Sequence, residues 1–431
     1  MIVEFSVKNF RSIFELQTIS FVATGLSSSV GNSHVDQSNI FSLGAERLLK
    51  VIGLYGPNAS GKTNIVRALE YFCDAIGALP SPESRLAQLA QPFLYQPHAP
   101  GTESYFQIVV IIDEQKYRYG FTVTKNEQET LDNPSQEIIT NEWLFGPRNS
   151  KHVRYFVRKN LDIQASSSFQ IKNIAPLEYE HALFLTHVAS YNKGICAEIR
   201  NRIKAFTTTK FSVRSDFYRF HSIRLVENEQ TKMRLLDFLR SFGLDYKDIF
   251  YRNDDEARKN NRYPLDNLFL VKDTFHDANK AITLNMDVNE SDGTKKLFDI
   301  AGLILHAFNL QHHGGGLIIL DEIDSNFHPS LLINLIQAFN IPSINKANTQ
   351  LLFTSHDTNL MRPDIMRRDQ FYLTEKESDE STRLYSLAEL RGIRNDANFA
   401  KQYLAGFYGG LPVLSNYTDD VNIYTNGPMG N

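Results

Sequence analysis

A glycine-rich octapeptide at residues 56–63 constrains the fold more than any other segment of the chain. It reads Gly-Pro-Asn-Ala-Ser-Gly-Lys-Thr and satisfies the pattern G-x-x-x-x-G-K-[ST] at every fixed position. An apolar run at 48–55 precedes it, and residues 63–79 place apolar side chains at helical spacing. Backbone N–H groups of such a loop, with the N-terminus of the following helix, enclose phosphate oxygens. The pattern predicts an α/β fold in which a buried strand leads into a phosphate-binding loop and a helix.

The residue types in this loop predict that the chain binds a nucleoside triphosphate, ATP, together with Mg²⁺. Lys62 is expected to neutralise the β- and γ-phosphate oxygens, and the Thr63 hydroxyl to ligate the metal. A chance match to the pattern in a chain of this length is expected about one or two times in a hundred. The predicted nucleotide-binding residues of the loop and its first helical turn are Asn58, Ala59, Ser60, Gly61, Lys62, Thr63 and Asn64.

A second motif is the sequence Leu-Ile-Ile-Leu-Asp-Glu at residues 317–322. Four apolar residues predict a buried strand, and two carboxylates follow at its carboxyl end. Alone this signal is weak, because apolar strands that end in acids are common. Beside a phosphate-binding loop it predicts that Asp321 holds the magnesium shell and that Glu322 polarises the attacking water.

Two further segments complete the set. The sequence Glu-Ser-Asp-Gly-Thr-Lys at 290–295 opens a helix and predicts a second anion site at Ser291 and Gly293; a plain helix N-cap is the alternative. The strand at 350–354 is followed by His356, a candidate contact of the γ-phosphate or the attacking water. The alternative is an ordinary loop histidine, since the chain has twelve histidines. Asp324 lies in the turn after the acidic strand end.

In this order the motifs resemble those of ATPase heads of the ABC/SMC superfamily. Residues 56–63 correspond to Walker A, 290–295 to the signature, 317–322 to Walker B, Asp324 to the D-loop and His356 to the switch histidine. The opening sequence Asn-Phe-Arg-Ser at 9–12 is similar to the start of such heads, where the arginine, here Arg11, lies near the nucleotide. The Q-loop glutamine of such heads has three candidates: Gln91, Gln96 and Gln107. Each of them could equally be a surface amide.

The resemblance implies a fold class: an α/β ABC-type P-loop ATPase head, a mixed sheet with an antiparallel β subdomain, carrying an inserted helical subdomain. It also implies a homodimer or higher oligomer, in which the Walker A loop of one copy faces the signature of another. Lys62, Glu322 and His356 would then act on ATP held between copies, with Ser291 and Gly293 contributed by the second copy. Asp324 is a further predicted nucleotide-binding residue.

The signature variant and the residues at 403–412 are similar to a subgroup of compact bacterial ABC ATPases that includes the RloA/AbiL-type ATPases and the AriA ATPase of the PARIS anti-phage system. This resemblance implies a sensor and regulator of a partner effector, a nuclease or toxin, with nucleic acid or a phage protein as the trigger. The alternatives are an SMC-like ATPase of DNA repair or chromosome maintenance, a transporter subunit and a toxin. The sequence contains no heptad pattern that would predict the coiled-coil arm of an SMC protein.

Net charge, cysteine spacing and the distribution of apolar residues limit the classes of protein to which the chain could belong. The net charge of −4 gives no global field that would draw the chain to nucleic acid or membrane. The two cysteines lack metal-ligand spacing. We expect neither a membrane span nor a signal peptide, and therefore a cytoplasmic protein.

The predicted domains are an N-terminal ATPase lobe at 1–178, a helical insertion at 179–266, a C-terminal ATPase lobe at 267–412 and a tail at 413–431. Basic residues of the insertion could contact nucleic acid or a partner, or form a solvated face: Arg200, Arg202, Lys204, Lys210 and Arg214.

Overall fold

The computed structural model describes residues 1–97, 102–125, 137–148, 151–167, 169, 174–191, 194–210, 216–252, 265–274, 277–309, 315–325 and 327–411. The predicted tail at 413–431, Arg214 and nearly all of the polar segment at 252–264 lie outside these residues. Within the described residues, no helix is both long and apolar enough to span a membrane.

A seven-stranded antiparallel sheet forms one layer, with the strand order β10-β9-β8-β7-β6-β1-β2. Most of its buried apolar residues pack in one core, while Val3, Val109 and Ile111 pack in a separate small core. The strands are β1 (Ile2–Lys8), β2 (Gln17–Ser20), β6 (Ser104–Ile112), β7 (Gln115–Lys125), β8 (Glu137–Arg148), β9 (Lys151–Lys159) and β10 (Asp162–Ala165). A separate antiparallel pair joins β3 (Ile40–Leu43) to β4 (Glu46–Leu49).

A six-stranded mixed sheet forms the centre, with the order β11-β15-β16-β5-β17-β18. Its members are β5 (Val51–Tyr55), β11 (Thr207–Lys210), β15 (Leu317–Asp321), β16 (Gln350–Thr354), β17 (Phe371–Lys376) and β18 (Thr382–Ser386). Neighbours are parallel except for β18, which runs antiparallel to β17. The carboxyl ends of β5, β15 and β16 therefore meet at one edge of the sheet, where ligands of open α/β folds bind.

The central sheet is buried on both faces, which explains its continuous apolar strands. On β15, Leu317 and Ile319 face one core, and Ile318 and Leu320 face the other. The first core contains the antiparallel sheet and the helix that follows the glycine-rich loop; the second contains most of the C-terminal helices.

The described helices are α1 (Ser33–Ser38), α2 (Lys62–Gly77), α3 (Phe184–Ser190), α4 (Gly194–Lys204), α5 (Asp216–Val226), α6 (Glu229–Ser241), α7 (Met286–Asn289), α8 (Asp292–Phe308), α9 (Pro329–Asn340) and α10 (Phe399–Leu404).

The apolar run at 48–55, predicted as one strand, is two strands separated at Lys50. The backbone of β4 pairs with β3, whereas β5 enters the central sheet, so the chain changes sheets at this residue. The Lys50 ammonium is buried and donates to the carbonyls of Ser38 at 2.8 Å and Asn340 at 3.0 Å. Burial lowers the pKa of Lys50 to about 8. Because the residues around Lys50 are apolar, the sequence pattern did not reveal that the strand is interrupted there. The interruption is stabilised by hydrogen bonds to residues distant in the chain.

Other segments also differ from the prediction. The Ser, Asn and Gly content of residues 25–42 predicts a loop, but this stretch contains α1 and part of β3. The pattern at 180–206 predicts a helix, but the segment contains two helices, α3 and α4. Within the predicted helical insertion, β11 adds an edge strand to the central sheet, and β12 (Asp248–Tyr251) pairs with β13 (Leu268–Thr274), which pairs with β14 (Asp277–Asn285). The domain boundaries themselves stay predictions.

A buried carboxylate holds α3 against the antiparallel sheet. Glu142, on β8, accepts the backbone N–H groups of Phe184 at 2.7 Å and Leu185 at 2.8 Å. It also accepts the Tyr119 hydroxyl at 3.0 Å and the Arg158 guanidinium at 3.2 Å, and the ion pair is fully buried. The helix N-terminus and the arginine together compensate the charge, which would otherwise be costly to bury. This contact ties the helical segment after 178 to the N-terminal lobe.

Candidate functional site

A cleft of about 1100 Å³ opens at the carboxyl edge of the central sheet. The predicted loop residues from Asn58 to Asn64 all line it, as do Arg11, Glu322 and His356. Its volume is slightly above the usual range for ligand pockets, which is about 300–1,000 Å³. The fold thus brings together side chains that are separated by about 300 positions in the sequence.

The glycine-rich loop has a strained backbone that neighbouring strands hold in place. Gly56 and Gly61 have φ angles of +146° and +106°, and a Cβ at either position would collide with Thr374 or Thr382 of β17 and β18. The Ser60 hydroxyl is 2.6 Å from that of Thr374, and the Thr382 hydroxyl donates to the Ser60 carbonyl at 3.1 Å. These two threonines position the loop, and sequence reasoning missed both because no local motif contains them.

Lys62 is held inside the loop. Its ammonium donates to the carbonyls of Gly56 at 2.8 Å and Pro57 at 2.9 Å, and only 6% of the residue is exposed. Burial lowers the pKa of Lys62 to about 8, although the carboxylates of Asp321, Asp324 and Glu322 act in the opposite direction. A partly desolvated cation of this kind favours an anion beside it, since the anion would restore the charge compensation that burial removes.

Thr354, the last residue of β16, links both acids of the neighbouring strand end. Its hydroxyl donates to Asp321 Oδ1 at 2.7 Å and accepts the backbone N–H of Glu322 at 2.7 Å. Glu322 has a φ of +54°, which costs a residue with a side chain about 1–3 kcal/mol. This conformation leaves Asp321 buried while the Glu322 side chain is exposed along the cleft. Sequence reasoning missed Thr354, although its position two residues before His356 was a signal.

His356 is exposed in the cleft, and its backbone N–H donates to Asp324 Oδ2 at 3.2 Å. Burial and the nearby Lys62 lower the pKa of His356, while Asp324, Glu322 and Asp321 oppose that shift. The neutral imidazole is therefore favoured near neutral pH. Asp324 itself is not among the described residues that line the cleft, and its Oδ1 atom is buried without a hydrogen bond in the described part of the chain.

Neither Ser291 nor Gly293 belongs to the described lining of the cleft in the same chain. Ser291 is exposed and is the N-cap residue of α8, where its side chain accepts the Thr294 N–H at 3.2 Å. Gly293 lies in the first turn of that helix. The observed geometry is therefore that of an N-cap, and a contact with bound nucleotide stays a prediction.

Arg11 lines the cleft beside one of the three candidate glutamines. Its Nε donates to Gln91 Oε1 at 2.8 Å, and its guanidinium lies 5.3 Å from the ring centre of Tyr71. Gln91 also lines the cleft. Gln96 instead bonds to Asp379, and Gln107 accepts from Trp143 within the antiparallel sheet. Cleft residues that carried no sequence signal include Arg67, Tyr95, Lys125, Lys376 and Glu380.

We expect Thr354→Val to be energetically coupled to Asp321→Ala, because both remove the same hydrogen bond. A double-mutant cycle from urea unfolding should give an interaction energy of about 0.5–3 kcal/mol. Thr349→Val is the matched control, since the Thr349 hydroxyl is also buried but donates to Ala307 instead. Additive effects of the Thr354 and Asp321 substitutions would refute the link.

The chain is similar to known proteins over most of its length. Residues 51–362 match a family described as "AAA domain, putative AbiEii toxin, Type IV TA system". Among solved structures, the chain is similar to the SMC head domain from Thermotoga maritima at 12% identity and a TM-score of 0.44, over 89% of this chain and 98% of that chain. A search of curated proteins found no match.

The family match covers well over half of the 431 residues and contains the glycine-rich loop, the acidic strand end and His356. With the observed sheets, it confirms the predicted α/β fold of a P-loop ATPase head. The chain belongs to the AAA-domain ATPase family described as putative AbiEii toxin, Type IV TA system.

Proposed function

We propose that this protein binds and hydrolyses ATP, with Mg²⁺, at sites shared between two copies of the chain. One observation carries the proposal: Lys62, Glu322 and His356 converge on a single cleft at the carboxyl edge of the central sheet. The loop offers N–H groups and one lysine to phosphate, and the opposite wall offers a carboxylate and an imidazole to a water molecule.

The residues present suit a magnesium ion. Thr63 presents a hydroxyl in the cleft, and Asp321 is a carboxylate at the end of the adjoining strand. Only Oδ1 of Asp321 is engaged by Thr354, and Oδ2 makes no hydrogen bond within the described part of the chain. Hard oxygen donors of this kind are what Mg²⁺ prefers. When bound, the ion would neutralise charge on the β- and γ-phosphates, while Thr354 keeps Asp321 oriented.

Glu322 is the proposed general base. Its exposed carboxylate can accept a proton from a water in the cleft, and the hydrogen bond from its backbone to Thr354 limits its movement. His356, neutral and beside Lys62, can donate to a γ-phosphate oxygen. In this proposal Arg11 and the loop residues Asn58–Asn64 bind the nucleotide, and Gln91 is the Q-loop glutamine.

A second copy would complete the site. Ser291 and Gly293 are outside the described lining of the cleft of their own chain, and Ser291 is exposed at a helix N-terminus. A symmetric dimer would place this helix N-terminus against the phosphate bound by the partner. Bound ATP would then stabilise the closed dimer, and hydrolysis would weaken it. Asp324, next to His356, would lie at the same interface.

The finer role that we propose is a cytoplasmic regulator of bacterial anti-phage defence, related to the RloA/AbiL/AriA subgroup, which controls a nuclease or toxin effector in response to phage nucleic acid or protein. Support comes from the sequence resemblance and from the family description, which names a putative toxin and a toxin–antitoxin system. The alternative is an SMC-like ATPase of DNA repair. Salt-dependent binding of the isolated chain to DNA would favour that alternative, whereas co-purification with a neighbouring gene product would favour the regulator.

Substitution Lys62→Ala should weaken ATP binding by about 10- to 150-fold, because a charge-assisted hydrogen bond contributes about 1.5–3 kcal/mol. Isothermal titration calorimetry measures this change. Lys401→Ala, on the exposed side of α10, is the matched control and should bind as the wild type does. Unchanged affinity in Lys62→Ala would exclude the loop as the nucleotide site.

Glu322→Gln should retain ATP binding but lower the turnover rate by about 100-fold or more, since an amide cannot accept the proton. Steady-state phosphate release and nucleotide titration separate the two quantities. Glu198→Gln, on the exposed face of α4, controls for the loss of one carboxylate. Turnover at the wild-type rate in Glu322→Gln would remove Glu322 from the role of general base.

Mixing two inactive variants tests the shared site. Lys62→Ala and Ser291→Arg should each abolish turnover, yet their mixed dimer contains one intact site, built from Lys62 of one chain and Ser291 of the other. Random mixing should restore about a quarter of the wild-type rate. In the control, Lys62→Ala is mixed with the doubly substituted chain, and no intact site forms. Failure to recover activity in the first mixture, with dimers verified by light scattering, would argue against composite sites.

A further inference from the structure

The cleft has an apolar wall that the phosphate chemistry does not use. Leu94 and Tyr95 are 73% and 70% exposed, and both line the same cleft as the glycine-rich loop, together with Ala90 and Pro92. Single exposed apolar residues are common on protein surfaces. Two large neighbouring ones beside a phosphate-binding loop form a surface that a flat, apolar group could cover.

This wall, residues 90–95, is fixed to the rest of the fold. The Gln91 carbonyl accepts the Arg11 N–H at 2.7 Å, and the Phe93 N–H donates to Asn9 Oδ1 at 3.0 Å. Phe93 is fully buried, and its ring centre is 5.3 Å from that of Phe14. Leu94 and Tyr95 are therefore presented by a segment that its buried neighbour anchors, so ordering them costs little on binding.

More cations than carboxylates line the cleft. Described cations that line it are Arg11, Lys62, Arg67, Lys125 and Lys376, against the carboxylates of Glu322 and Glu380. Arg67 lies one helical turn after Thr63, and its Nε is buried without a hydrogen bond in the described part of the chain. A ligand that carries several negative charges and an apolar ring matches this combination of cations and exposed apolar side chains.

We infer that Leu94 and Tyr95 form the platform on which the purine base of the nucleotide stacks. The inference rests on the proposed nucleotide-binding function and adds the location of the base. The ring of Tyr95 packs against Phe93 at 5.6 Å between centres, and the exposure of Tyr95 leaves room for a base beside it. Stacking on an aromatic ring tolerates any base, because every base has a π-face. The platform therefore strengthens ATP and GTP binding equally.

The test compares ATP, GTP and inorganic tripolyphosphate as ligands of the full chain with Mg²⁺. Tyr95→Ala should weaken binding of ATP and GTP by the same factor, about 5- to 150-fold, and leave tripolyphosphate binding unchanged. Leu94→Ala should act in the same direction, and Tyr95→Phe should bind as the wild type does. Phe407→Ala and Leu404→Ala are matched controls, because these side chains are also exposed, at 77% and 62%, and lie outside the described cleft lining.

The outcomes separate the two proposals. If the wild type binds neither ATP nor tripolyphosphate, the proposed function itself fails, and the platform with it. If both bind but Tyr95→Ala leaves ATP affinity unchanged, the platform alone is overturned. The platform is likewise overturned if Tyr95→Ala weakens tripolyphosphate binding as much as ATP binding. It is also overturned if Tyr95→Ala alters self-association without changing nucleotide affinity, which would assign the wall to a second copy of the chain.

Discussion

The parallel pairing of β5, β15 and β16 is the constraint on which the rest of the structure depends. All three strands are buried on both faces, so their polar residues can reach water only beyond their ends. Parallel strands place those ends at the same edge. The glycine-rich loop, the acidic pair and the histidine follow these strands in the chain, and the common edge brings them into one cleft.

Three threonine hydroxyls fix the positions of the groups at this edge of the sheet. One lies on β16, and the other two lie on β17 and β18. Thr354 fixes Asp321 and the backbone of Glu322, while Thr374 and Thr382 hold the loop at its constrained glycines. Each contact joins residues far apart in sequence, which makes the site a property of the assembled sheet. Strain at Glu322 is tolerated because the surrounding hydrogen bonds over-determine its conformation.

Two groups of elements surround the carboxyl edge of the central sheet, and they contribute different residues. The antiparallel sheet and the 90–95 wall bound one side of the cleft, and the C-terminal helices present Ser291 and Gly293 elsewhere on the surface. Such an arrangement separates the groups that bind phosphate in one chain from those proposed to close on it from another. Under the proposed function, one copy would hold the nucleotide and a second copy would control its turnover.

Local patterns were sufficient for much of this protein. The loop at 56–63 and the strand that begins at Leu317 could be predicted from their sequences, because the glycine pattern of the loop and the continuous apolar run of the strand are local signals. The break at Lys50, the strand β11 and the structured part of 25–42 could not, because each is stabilised by partners distant in the chain. The sequence by itself therefore determined the order of the motifs that are proposed to carry phosphate chemistry. Only the tertiary structure decided that Thr354, Thr374 and Thr382 hold them in position and that Leu94 and Tyr95 complete the cleft, because hydrogen bonds and exposure between distant segments leave no periodic or local signal in a sequence.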